Sequence, residues 1–202
     1  PTLLRLLNTL LPVPLSSAYV NFIYFCLNCG FVLGFFHKFL GRSLVAAGKG
    51  FWDFIQAAVL GFVGYWVATT ALSVLIDLLV PGFSNINDQS IAALAGSHYV
   101  LMVIGTVILV PTAEEVLFRG VVFGSIRRKS RLWAYILSVA IFGLPHVIGF
   151  LGSGDWLRLI LCFLQYIPAG VFLAWSYEKA DSIFAPIVIH TAINAIGIYA
   201  MR

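Results

Sequence analysis

Pro111-Thr112-Ala113-Glu114-Glu115-Val116-Leu117-Phe118-Arg119-Gly120 sets two adjacent carboxylates and an arginine inside a run that is otherwise apolar. Residues 99–112 carry no charge, and Val121, Val122 and Phe123 resume the apolar run beyond Arg119. Such a run reads as a membrane-spanning helix, where an ionisable group costs roughly 2.5–3.5 kcal/mol on insertion scales and therefore faces a bundle interior. Arg119 follows Glu115 by four residues, the spacing and order in which an acid and a base pair best on a helix. Glu114 is left over. Successive helical residues point about 100° apart, so Glu114 is free to face a different cavity from the ion pair.

The rest of the chain agrees with a membrane setting. Of its 202 residues, 61% are hydrophobic and 10% charged, whereas soluble domains carry about 25% charged residues; the mean hydropathy is +0.99. Apolar runs of about 18 residues or more suit helices that cross a bilayer, and a β-barrel would instead alternate over about ten residues. The expected fold class is all-α: a polytopic transmembrane helix bundle of about six spans. The net charge of +4 and pI near 9.1 come from basic residues in short connectors between apolar segments. The positive-inside tendency explains them, so membrane lipid is an expected partner and nucleic acid is not. Cys26, Cys29 and Cys162 all lie within apolar runs. Cys26 and Cys29 have CxxC spacing but no second pair, and they read as small core residues rather than a zinc or redox site.

Residues 1–15 are too short to span and read as an interfacial piece or the stub of a helix. No small-residue cleavage site precedes the first long span, so no cleavable signal peptide is expected, and a chain opening on Pro1 is expected to have sequence before it. Spans are expected at about 17–36, 51–80, 97–123, 132–151, 156–177 and 182–201, with a polar loop over 81–96 after the Pro81-Gly82 turn. Lys38, Arg42, Lys49, Arg127, Arg128, Lys129, Arg131 and Lys179 fall in alternate connectors, which are therefore cytoplasmic. Both ends of a six-span chain are then outside, and the protein belongs in a multi-pass setting, a prokaryotic cell membrane or, as the alternative, the endoplasmic reticulum membrane. Two regions are expected: residues 1–96 with two spans, and residues 97–202 with four spans and the chemistry.

Few other polar groups inside the spans can do chemistry. His146 follows Phe142 by four residues, and Asn194 follows His190 by four, so each pair shares a helix face. Pro111 and Pro145 stand close before Glu114 and His146, and kinks beside polar groups suggest a hydrated cavity. Taken singly, a membrane histidine more often makes a packing hydrogen bond than catalyses. Asp53 and Asp77 sit at opposite ends of span two and read as solvated flanks, while His98 reads as interfacial.

Glu114-Glu115-x-x-x-Arg119, Phe142-x-x-x-His146 and His190-x-x-x-Asn194, in that order on successive spans, resemble the three motifs of the CPBP intramembrane proteases, the CAAX-prenyl-endopeptidase and bacteriocin-processing (Abi) family. The resemblance covers about residues 97–200. It implies a helical membrane bundle and a metal-independent glutamic endopeptidase acting on a membrane-associated peptide or protein, prenylated or CAAX-like in its best-known members. It further implies that Glu114 activates water, that His146 assists, that His190 and Asn194 stabilise the oxyanion, and that Glu115, Arg119 and Phe142 support them structurally.

The residue types suit that chemistry by themselves. Amide hydrolysis needs a base beside water and donors where negative charge develops, and each fixed donor contributes on the order of 3 kcal/mol to such a transition state. No Gly-x-Ser-x-Gly or His-Glu-x-x-His sequence is present to suggest a serine hydrolase or a zincin. Two rivals stand beside this reading. One is a zinc-dependent protease using His146, His190 and a carboxylate; the other is a non-enzymatic membrane scaffold or bacteriocin-immunity protein in which the polar residues only hold helices together. A transporter fits less well, because no internal repeat is visible. Water is expected to enter from the cytoplasmic end, past Gly120 and Ala185.

Overall fold

The computed structural model describes residues 2–201, and among them every regular element is helical. A short helix α1 (Thr2–Asn8) leads to α2 (Ser17–Phe35), α3 (His37–Lys49) and α4 (Phe51–Leu79). A long, irregular helix follows as α5 (Ile86–Val103), a π-helical stretch Ile104–Leu109, α6 (Val110–Glu115), a second π-helical stretch Val116–Phe123, and α7 (Gly124–Arg127). Then come α8 (Arg131–Ile148), α9 (Trp156–Gln165), α10 (Ile167–Ala180) and α11 (Phe184–Ala200). Five helical segments are long and apolar enough to cross a membrane, and α11, at 17 residues, is a shorter apolar sixth. The expected all-α polytopic bundle is what forms.

One element differs from the sequence reading. The stretch 81–96 is not one polar loop, because α5 begins at Ile86, where the Asn85 side chain accepts a hydrogen bond from Asn87 N–H at 2.9 Å and caps the helix. Asp77 is exposed at the end of α4, as a solvated flank should be, and its Oδ1 accepts from Gly82 N–H at 3.1 Å where Gly82 turns the chain with φ +75°. The segment Ile86–Arg127 runs 42 residues, about 63 Å at helical rise and about twice the hydrocarbon thickness. It breaks at His98, whose φ −142° and ψ 55° are not helical, so only the part beyond His98 is needed to cross.

α10 is the packing centre. In its segment, Trp156–Ala180, 44% of the apolar window is buried, against 11% for Phe51–Leu79, which shows lipid-facing side chains along most of its length. Buried Ala169, Gly170, Ala174, Ser176 and Ala180 let α4, α8 and α11 approach closely. At Gly170 an added Cβ would lie 2.8 Å from Val139 Cα, a backbone atom that cannot swing away. α2 packs on α6, with Val32 beside Ala113 and Val116 in one core cluster. The first two spans are thus built into the same bundle as the helices bearing the motifs.

Candidate active site

The π-helical stretch before α6 reorganises the site's backbone. Val110 N–H donates to Gly105 O, five residues back rather than four. Pro111 is next in that ladder and has no N–H, so it leaves Thr106 O without a main-chain donor. Asn194 Nδ2 takes up that carbonyl at 2.7 Å, joining α11 to the long helix. Sequence spacing alone points to the carbonyl four residues before a proline; the wider π turn moves the vacancy to the fifth.

Glu115 and Arg119 pair as the i,i+4 spacing implies, Nη1 to Oε1 at 2.9 Å, both with no side-chain exposure. His190 joins the same oxygen: its Nδ1 lies 2.7 Å from Glu115 Oε1. The guanidinium also stands 4.5 Å over the Phe142 ring and directs Nη2 towards the carbonyls of Gly170 and Ala169 at 3.4 and 3.5 Å. Phe142 is a hub, with the rings of His146 and His190 at 5.3 and 5.5 Å. His146 Nδ1 meets Phe142 O at 2.8 Å, and its ring stacks on Tyr166 at 4.2 Å between centroids. An ionised carboxylate and a carbonyl can only accept, so both histidines donate from Nδ1 and turn Nε2 to any ligand. A neutral His190 or His146 then presents an acceptor there, and Nε2 donates only when the ring carries a second proton.

Glu114 stands apart from this knot. It is half-buried, its Oε2 is shielded from solvent and accepts no hydrogen bond among the described residues, and none joins it to His146, His190 or Asn194. The structure therefore gathers Glu115, Arg119, Phe142 and His190 tightly, places His146 against Phe142 and Tyr166, and seats Asn194 on Thr106. Tyr166 and Thr106 escaped the sequence reading. A hydroxyl residue in an apolar run was the available signal for Tyr166, and nothing local flagged the Thr106 carbonyl.

Ala185 does not line a route for water, and Gly120 is half-buried. Ala185 is fully buried with Ala57 and Ala180, and Phe39 of α3 lies against Gly120. A cavity of about 430 Å³ opens elsewhere, at the end opposite the basic connectors, bounded by Asp77, Asn85, Asp88 and Gln165 but by neither glutamate of the motif nor His190 or Asn194. Among the described residues no three His, Cys, Asp or Glu side chains stand together as a metal-holding group.

Fold and site together define a multi-pass helical membrane protein with a charged, histidine-bearing cluster buried between its helices. Residues 96–196 match the family described as type II CAAX prenyl endopeptidase Rce1-like, and the chain belongs to that family. Relatives include UPF0177 protein YxdF of Lactococcus lactis subsp. lactis (strain IL1403), 28% identical over 148 residues, which are 71% of this chain and 76% of that protein. Another is "Putative membrane peptidase YdiL" of Bacillus subtilis (strain 168), 32% identical over 95 residues, 46% of this chain and 34% of that protein. This chain thus spans about a third of the YdiL length. No solved structure matches it. The family and the peptidase relative support protease activity within a membrane.

Proposed function

We propose that the protein is a metal-independent intramembrane endopeptidase that cleaves a peptide bond of a membrane-associated protein, with a prenylated or CAAX-like chain as the substrate class. The observation that carries this reading is the contrast between Glu115, whose Oε1 is held by both Arg119 and His190 although its Oε2 has no partner, and Glu114, which makes no hydrogen bond or ion pair through either oxygen among the described residues. A carboxylate so placed can take a proton from water while the oxygen attacks the scissile carbonyl. His146, held by Phe142 O and Tyr166, supports that step through Nε2. The tetrahedral oxyanion falls to α11, where Asn194 retains one N–H beyond the one on Thr106 O, and His190 donates from Nε2 when its ring carries both protons. Collapse of the intermediate breaks the C–N bond, and the proton gained by Glu114 passes to the leaving amine.

The test is proteolysis of a fluorogenic prenylated peptide by purified protein in lipid vesicles, wild type beside Glu114→Gln and with a chelator present. Cleavage that survives chelation and is lost in Glu114→Gln supports the proposal. Equal cleavage by wild type and Glu114→Gln removes Glu114 as the base. A folded wild type that cleaves no member of a CAAX-peptide panel removes this substrate class and favours the scaffold reading.

A further inference from the structure

The cations of α3 differ from Arg127, Arg131 and Lys179 at the neighbouring helix ends, although Arg128 and Lys129 in the turn after α7 are unpaired as well. Arg127 reaches Asp181 at 3.8 Å, Arg131 reaches Glu178 at 2.9 Å, and Lys179 reaches Asp53 at 2.6 Å. Lys38, Arg42 and Lys49 have no hydrogen bond or ion pair among the described residues, and α3 contains no acidic residue. At about 100° per residue, Arg42 and Lys49 fall within roughly 40° of Lys38, so all three occupy one face spread over roughly 16 Å of helix.

The other side of α3 is fastened down. Ser182 Oγ donates to Ser43 O at 2.9 Å, and Ile183 N–H donates to Ser43 Oγ at 2.7 Å, which fixes α3 against the chain entering α11. Val45, on the cationic face about 20° from Lys38, is 57% exposed, and Leu44, about 120° round the helix from Lys38, is 61% exposed. Trp52, just beyond Lys49 at the start of α4, is 72% exposed, as suits an indole at headgroup level. Uncovered aliphatic groups beside unpaired cations, on a helix that packs by its opposite face, mark an element lying in the interface plane.

We propose that α3 is a docking surface for anionic phospholipid headgroups: Lys38, Arg42 and Lys49 hold the phosphates while Leu44 and Val45 enter the acyl boundary. The inner face of the same helix sets Phe39 on Gly120, next to Arg119, so bound lipid also steadies the cover over the motif helix.

The full chain carrying Cys26→Ser and Val45→Cys, labelled with a fluorophore at position 45, is reconstituted in phosphatidylcholine vesicles. Equal mole fractions of spin-labelled phosphatidylcholine or phosphatidylglycerol are then added. The anionic quencher should act as though roughly fivefold more concentrated near α3, the enrichment that a single surface cation supports. That preference should weaken as salt is raised, disappear in K38Q/R42Q/K49Q and persist in R128Q/K129Q, with melting temperatures unchanged. Equal quenching by the two lipids overturns the proposal. A preference that survives K38Q/R42Q/K49Q, or that vanishes with R128Q/K129Q, also overturns it. If inorganic phosphate suppresses the preference beyond chloride at equal ionic strength, the site is one for soluble phosphate and the lipid assignment fails.

Discussion

Glu115 gives one oxygen to both Arg119 and His190, leaves the other unpartnered and lies wholly inside the bundle, whereas Glu114, one residue earlier and about 100° round the helix, is half-buried and accepts no hydrogen bond on either oxygen among the described residues. The same residue type on the same turn thus meets two environments. Around Glu115, opposite charges, a cation–aromatic contact and carbonyl oxygens offset much of the cost of burial; around Glu114 little does. A buried oxygen left without a partner carries a standing cost of about 1–3 kcal/mol, more when charged; both carboxylates have one, and of the two the half-buried Glu114 is the one a ligand can reach. Under the proposed function Glu115 serves the fold and Glu114 the chemistry, and that division can be broken at several points.

The largest effect is expected at the knot. Arg119→Ala strands the Glu115 charge and should cost about 3–5 kcal/mol, read as loss of folded protein recovered from membranes and a lower melting temperature. Glu115→Gln combined with Arg119→Gln should recover part of that loss. If Arg119→Ala is as stable as wild type yet inactive, the division between the two carboxylates is wrong. Glu114→Gln should reverse the pattern, with melting unchanged and cleavage reduced by roughly a hundredfold or more, within the range for loss of a general base.

A smaller effect tests whether the knot depends on close helix approach. Gly170→Ala drives a Cβ to 2.8 Å from Val139 Cα and must part α10 from α8, beside the carbonyls that face Arg119. A destabilisation of about 1–3 kcal/mol is expected by thermal melting, while Gly197→Ala, with open space around its added Cβ, should be neutral or slightly stabilising. Asn194→Ala removes the donor to Thr106 O and should cost on the order of 1–3 kcal/mol, because the buried carbonyl is left unpaired. The smallest effect belongs to Lys179→Gln. Its ion pair with Asp53 is short but solvent-exposed, so a change in stability under about 1 kcal/mol should separate it from the buried pair.

The bundle and much of its charged knot are readable without coordinates. Long apolar runs leave a helix as the economical way to satisfy every backbone group in lipid, and the i,i+4 spacing of Glu115 and Arg119 fixes their pairing through helix geometry alone. Those are local relations, set by residues within one or two turns. Long-range packing decided the rest. The sequence offers His190 and Asn194 as a free pair on one face, yet the fold gives His190 Nδ1 to Glu115 and Asn194 to Thr106 O. Which carbonyl Pro111 vacates depends on a π turn, and a π turn is held by neighbouring helices rather than by its own residues. The helical start at Ile86 inside an apparent loop, and Phe39 lying on Gly120, have the same origin: whether a polar stretch coils or a face is covered depends on what packs against it, and a one-dimensional pattern does not contain that partner.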